Sequence, residues 1–214
     1  MVARAGTEVD AANLALSDLG QPPITSSFSD NTARARACRV NFGTVRDALL
    51  QQHEWGFATA YARPAAAVAP VGGWPGKFAN RFLLPSDCLQ VRYVAHSGAD
   101  SWEVITAAAD PAGSDANVKV LSTNDAAPEI CYTRCIVDVR LWSGQFLKGF
   151  RHELAAAIAP LVVSSTAKAQ SEAQLAAAAV SDAALIDGKE KSRRTISRDT
   201  SWLRARRVGR WGRP

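Results

Sequence analysis

Six large apolar side chains, Trp142, Phe146, Phe150, Leu154, Ile158 and Leu161, step along the chain by four, four, four, four and three residues. Positions three and four apart share one face of an α-helix, so the run specifies an amphipathic helix with a wide apolar stripe. A helix of this kind is marginal alone and must bury its stripe against neighbours. Pro160 lies near its end and is expected to kink or stop it.

Three more helices are expected around it. Residues 7–19 carry Val9, Ala12, Leu16 and Leu19 on one face, with Thr7 as cap, Glu8 and Asp10 at the positive end of the dipole, and Gly20, Pro22 and Pro23 as a stop. A second helix is expected from Asp30 or Asn31 to about His53, its apolar stripe made of Ala33, Ala37, Val40, Thr44 and Ala48 and widened by Val45 and Leu49. Trp55, Phe57 and Tyr61 follow and are expected to lock a corner of the core. Residues 166–186 are rich in Ala, a side chain that lets helices approach closely but buries little area, and Gly188 is expected to end that helix.

Between these helices the period changes to two. Leu89, Val91 and Tyr93 alternate with Gln90 and Arg92, and short β-like runs recur at 102–106, 117–121 and 129–137. Turn-prone pieces, Ser97-Gly98-Ala99-Asp100, Asp110-Pro111-Ala112-Gly113 and Thr123-Asn124-Asp125, separate them. The fold class expected is α+β, mainly α: a four-helix bundle from residues 1–63 and 140–188, a small antiparallel β insertion lobe at 64–139, and an extended C-terminal arm at 189–214.

With 47% hydrophobic and 21% charged residues in 214, the chain has a globular composition able to bury a sizeable core. No run is long and apolar enough for a membrane span, and the first residues lack the apolar stretch of a secretory signal. Four cysteines without a CxxC pair suggest small core residues in a reduced compartment rather than a disulfide framework or zinc site. His53, His96 and His152 are scattered, Ser101 and Ser143 lack an activating context, and no nucleophile-elbow, zincin or phosphate-loop motif occurs. Asp10, Asp18, Asp182 and Asp187 read as solvated helix-surface acids. No catalytic residue, metal or cofactor is expected, and the chain reads as a non-enzyme.

Charge is unevenly distributed. Residues 189–214 carry ten Lys or Arg and two acids, whereas residues 1–188 carry fifteen basic and eighteen acidic side chains. The arm's candidate partner-binding residues are Arg193, Arg194, Arg198, Trp202, Leu203, Arg204, Arg206, Arg207, Arg210 and Trp211. Arg forks suit carboxylate or phosphate, and Trp and Arg are the commonest interface anchors. Low apolar content and self-repulsion argue that the arm orders on a partner rather than folding alone. Fully extended at about 3.3 Å per residue it would span roughly 85 Å.

Several ordered stretches resemble one family. Ala15-Leu16-Ser17-Asp18-Leu19-Gly20 with Ile24 and Ser26-Ser27, then residues 34–37, then Arg46-Asp47-Ala48-Leu49-Leu50, are similar to the first part of phage head-to-tail adaptors of the tail tubular protein A type. His53-Glu54-Trp55-Gly56-Phe57-Ala58 resembles the family's His-Pro-Trp and Phe-Ala, with Glu54 where Pro is usual, and Leu84-Pro85-Ser86-Asp87-Cys88-Leu89 resembles its Leu-Pro-x-Asp-Cys-Leu. The region 146–161 resembles its Phe-x-x-x-Leu-Ala-x-x-Ile-Ala helix. The likeness covers residues 8–165 apart from a gap in the β region.

That resemblance implies a structural virion protein of the neck or connector, assembled in the host cytoplasm. It implies a homo-oligomeric ring, normally of twelve copies, between the portal protein and a tail or nozzle protein, with genomic DNA passing through the lumen and a C-terminal arm reaching onto the portal. The basic arm alone supports an alternative from another class, a nucleic-acid-binding protein.

Overall fold

The computed structural model describes residues 6–24, 27–65, 78–95, 102–110 and 114–190. Its mixed α/β architecture comprises four helices and two small antiparallel sheets. Helix α1 (Glu8–Asp18) starts as expected: Thr7 Oγ1 accepts from Asp10 N at 3.1 Å and Asp10 Oδ2 accepts from Thr7 N at 3.0 Å, a reciprocal capping box. Hydrogen bonding from the Thr7 side chain foremost, then from Gly6 N at 3.1 Å, holds the Asp10 carboxyl below its usual pKa. Gly20 takes φ +66°, where a Cβ would be strained, and turns the chain away. Asn13 then grips Ile24 through both amide atoms, at 2.7 and 3.0 Å, and ties the next segment back to the helix.

Helix α2 (Ala33–Gln52) is capped by Thr32 and buries Ala35, Ala37, Cys38, Phe42, Val45, Leu49 and Leu50. Of the expected stripe, Ala37, Val45 and Leu49 are buried, whereas Ala33, Val40, Thr44 and Ala48 are exposed, Val40 by 66%. Both faces have a helical period. The one carrying Phe42 and the two leucines removes far more apolar area from water, and it turns inward.

Helix α3 (Gly144–Val162) is the hub, with α1 and α2 packed on it. Phe146, Phe150, Leu154 and Ile158 are buried, as expected, whereas Leu161 is 63% exposed. Pro160 sits within the last turn and the helix ends two residues later at Val162, with Ser164, at φ 53°, just beyond. Trp142 and Trp55 bracket the hub. Their indole N–H groups donate to Ile136 O at 3.0 Å and Leu49 O at 2.8 Å, so both rings are buried with their polar atom satisfied. Phe146 meets both indoles edge-on, at centroid distances of 5.2 Å to Trp55 and 5.1 Å to Trp142, while His53 meets Trp55 and Phe150 meets Trp142 edge-on at 4.8 Å.

Helix α4 (Thr166–Glu190) also lies on α3 and runs through Gly188, past the expected stop. Its buried face is narrow: Glu172, Ala176, Ala179 and Ala183. The approach is close, since a Cβ built on Gly149 would stand 2.8 Å from Val180 Cγ2.

Among the described residues there are six strands rather than four and two sheets rather than one. Strands β1 (Thr59–Ala62), β3 (Cys88–Ala95) and β6 (Glu129–Arg134) form one sheet in the order β1-β6-β3. Strands β2 (Asn80–Leu83), β4 (Trp102–Asp110) and β5 (Ser114–Thr123) form the other in the order β2-β5-β4. The β4–β5 pairing continues to Asp110 opposite Ser114, beside the expected turn. Strand β1 falls within the stretch assigned to the helices, and Tyr61, expected in a core corner, is 73% exposed on it. At four residues each, β1 and β2 are too short to show a period. Phe82 and Leu121 from one sheet meet Val91, Val94, Ile130 and Tyr132 from the other in a second core, separate from that of the helices.

Candidate functional site

The ten residues expected to bind a partner, from Arg193 to Trp211, lie outside the described residues, as does His96. Within the described residues, polar side chains concentrate at three joints between elements.

The first links α1, α3 and α4. His152 Nδ1 stands 2.8 Å from Glu172 Oε2 and 3.7 Å from Asp18 Oδ2, with Arg151 Nε 3.3 Å from Asp18 Oδ2 and Lys168 Nζ 3.0 Å from Glu172 Oε1. Arg151 Nη2 approaches His152 Nε2 at 3.5 Å. An arginine can only donate, so Nε2 is the acceptor and Nδ1 carries the proton given to Glu172. Burial raises the pKa of Glu172, but hydrogen bonds from His152 and Lys168 outweigh it and leave the carboxyl below its usual range. Ligand atoms of Asp18, His152 and Glu172 lie within 4.8 Å of one another, a donor set suited to a metal. Arg151 and Lys168 set one positive charge beside each of the two carboxylates. The cluster is therefore a charge-balanced clamp. Asp18 is not the solvated acid expected, because its side chain is only 20% exposed. Glu172 escaped notice although its spacing to Ala176, Ala179 and Ala183 places it on the buried face.

The second joint fixes the far end of α4. Asp187 accepts from Gly56 N at 2.8 Å and faces His53 Nε2 at 3.3 Å. Its side chain is 12% exposed, so it too departs from the expected solvated acid. The residues His53, Trp55 and Gly56, which carry part of the family resemblance, are thus where α2, α4 and the start of β1 converge.

The third joint fastens the helices to the sheet. Asp47 Oδ1 accepts from Arg46 Nε at 2.8 Å and from Cys135 Sγ at 3.5 Å. Cys135 N in turn donates to Asp87 O at 2.8 Å, and Tyr132 reaches Asp87 Oδ1 at 3.3 Å. The turn closed by Cys88 N on Pro85 O at 2.9 Å sets this up. Both Arg46-Asp47 and Leu84-Pro85-Ser86-Asp87-Cys88 therefore work as fasteners.

All four cysteines are free, and three are buried. Burial pushes the Cys38 and Cys88 thiols up to about 11, so neither is a nucleophile near neutral pH. A cavity of about 460 Å³ on the first sheet is lined by Tyr61, Arg63, Tyr93 and Glu129 over Ala62, Ala95 and Ile130. Arg63 and Glu129 are paired across its rim. The Tyr93 phenol, hydrogen-bonded with Tyr61, has its pKa raised, so it stays protonated near neutral pH and is a weak acid. No helix among the described residues is long and apolar enough to cross a membrane. Searches against protein-family models and curated proteins find no match for the chain.

Proposed function

We propose that the chain is a non-catalytic head-to-tail adaptor of a phage virion. Its helices act as a four-helix bundle carrying a β lobe. Copies form a ring beneath the portal, and residues 189–214 dock on the portal as an arm that continues from α4. The distal face of the ring receives a tail or nozzle protein, and DNA passes through the lumen.

One observation carries the reading. The short motifs that resemble the adaptor family include residues that join one element to the next: His53 and Gly56 at the end of α4, Asp47 at the sheet, and Asp87-Cys88 at the strand turn. Residues with joint-making duties are those a shared architecture requires, whatever varies between them. The absence of an activated thiol at Cys38 and Cys88, and the closure of the His152 cluster by its own cations, fit a structural part better than an enzyme. An arm bearing eight arginines and two tryptophans suits a partner groove where charge steers and indoles anchor. Many linked arms of modest affinity would hold a ring by avidity.

The test is co-sedimentation with cognate portal rings and with duplex DNA over a salt series. Full-length chain is expected to bind portal. Truncation after Glu190 should abolish that binding without unfolding the body, and Trp202→Ala should weaken it even at high salt. Tight DNA binding that falls steeply with salt, with no portal binding, would instead favour the nucleic-acid reading.

A further inference from the structure

Two helices of the bundle expose apolar stripes of opposite electrostatic character. On α2 the exposed stripe is Val40, Thr44 and Ala48, with Ala33 beyond the buried Ala37, and Val40 is 66% exposed. On α4 it is Leu175, Ala178 and Leu185, with the two leucines 50% and 65% exposed. Helix α2 carries four arginines and one acid, whereas α4 carries four acids and two lysines.

Internal pairing does not use up these charges. Arg46 is taken by Asp47 and Glu8, Glu172 by His152 and Lys168, and Asp187 by His53 and Gly56. Arg36 has only the neutral Asn31 at 3.2 Å. Arg39 and Asp182 form no ion pair among the described residues, and both are exposed beside their apolar stripes. Arg39 lies one position before Val40, and Asp182 lies four after Ala178 and three before Leu185.

We infer that these stripes are the two halves of one subunit contact, in which α2 of one copy packs against α4 of the next. The choice of occupant follows from charge. Pairing α2 with α2 would set Arg36 and Arg39 against their own copies, and pairing α4 with α4 would set Asp182 against itself. Pairing α2 with α4 sets arginine against aspartate and covers Val40, Leu175 and Leu185 together. Because the two patches differ, the contact is heterologous and repeats from copy to copy, closing into a ring when the rotation permits. The inference rests on the ring reading and names the surfaces that would build it.

The test uses full-length chain with Cys135→Ser as background, since the other three native cysteines are buried. Val40→Cys and Leu185→Cys are added to one chain, which is treated with a short bis-maleimide and run on a denaturing gel. A ladder continuing past the dimer is expected, with each single-cysteine chain giving no such ladder. Arg39→Glu should cut the ladder several-fold, and adding Asp182→Arg should restore it. No ladder, dimers alone, or a ladder indifferent to Arg39→Glu would overturn the inference. Native mass of the unmodified chain, alone and with portal, separates the two failures. A large oligomer without the ladder leaves the ring but moves its contact elsewhere, and a single copy under both conditions removes the ring as well.

Discussion

Helices α3 and α4 lie side by side, yet they are held by different physics. Helix α3 buries Phe146, Phe150, Leu154 and Ile158 among the rings of Trp55, Trp142 and Phe42. Helix α4 is six residues longer and buries three alanines and one glutamate. Area removed from water holds the first. The second relies on close approach at Gly149 and on polar joints near its two ends, Glu172 and Asp187. A helix attached this way leaves much of its surface exposed, and in sequence it is followed by the basic residues of 189–214.

The sharpest way to break this contrast is truncation in the hub. Phe150→Ala is expected to cost about 4 kcal/mol, the range for emptying an aromatic site in a packed core, whereas Leu175→Ala on α4 should stay within about 0.5 kcal/mol. Denaturant unfolding of both variants checks this, and similar losses would erase the distinction. Glu172→Ala comes next, at about 3 kcal/mol, because it leaves His152 and Lys168 facing an empty buried site. Hydrogen exchange should then show α4 amides opening before those of α3. Gly149→Ala is expected to cost roughly 2 kcal/mol by overpacking against Val180, and shortening Val180 to Ala in the same chain should recover part of it.

The smallest effect is in pH. The folded Glu172 carboxyl lies below its ordinary value of 4.5, so its contribution is complete above about pH 4.5 and is lost as pH falls through the lower folded value. The Cys38 and Cys88 thiols shift the other way. Their contribution is complete below pH 9 and is lost as pH rises toward about 11. Acid titration should therefore loosen α4 selectively and Glu172→Gln should flatten that response, while the alkaline loss should remain.

The same contrast explains what the sequence made legible. Helix α3 announced itself because its large side chains repeat at one period and have no competing face. On helix α2 the spacing marks the helix and part of its buried face, Ala37, Val45 and Leu49, but misses Phe42 and Leu50 in favour of the small residues Ala33, Thr44 and Ala48, because burial follows area rather than regularity. Strands β3 to β6 showed as alternating or β-like runs, whereas four-residue β1 and β2 did not. The clamp at Asp18, His152 and Glu172 could not be read from spacing, since its members lie on three helices far apart in the chain. Glu172 alone left a trace, a charged residue in phase with buried alanines. The arm was legible as composition and charge only.

The adaptor reading is best probed by the mass of cognate portal rings mixed with the full-length chain. One added mass step corresponding to a complete ring, normally twelve copies, is expected, and it disappears when the chain ends at Glu190. A portal mass left unchanged by the full-length chain, or increased equally by the truncated one, would contradict it.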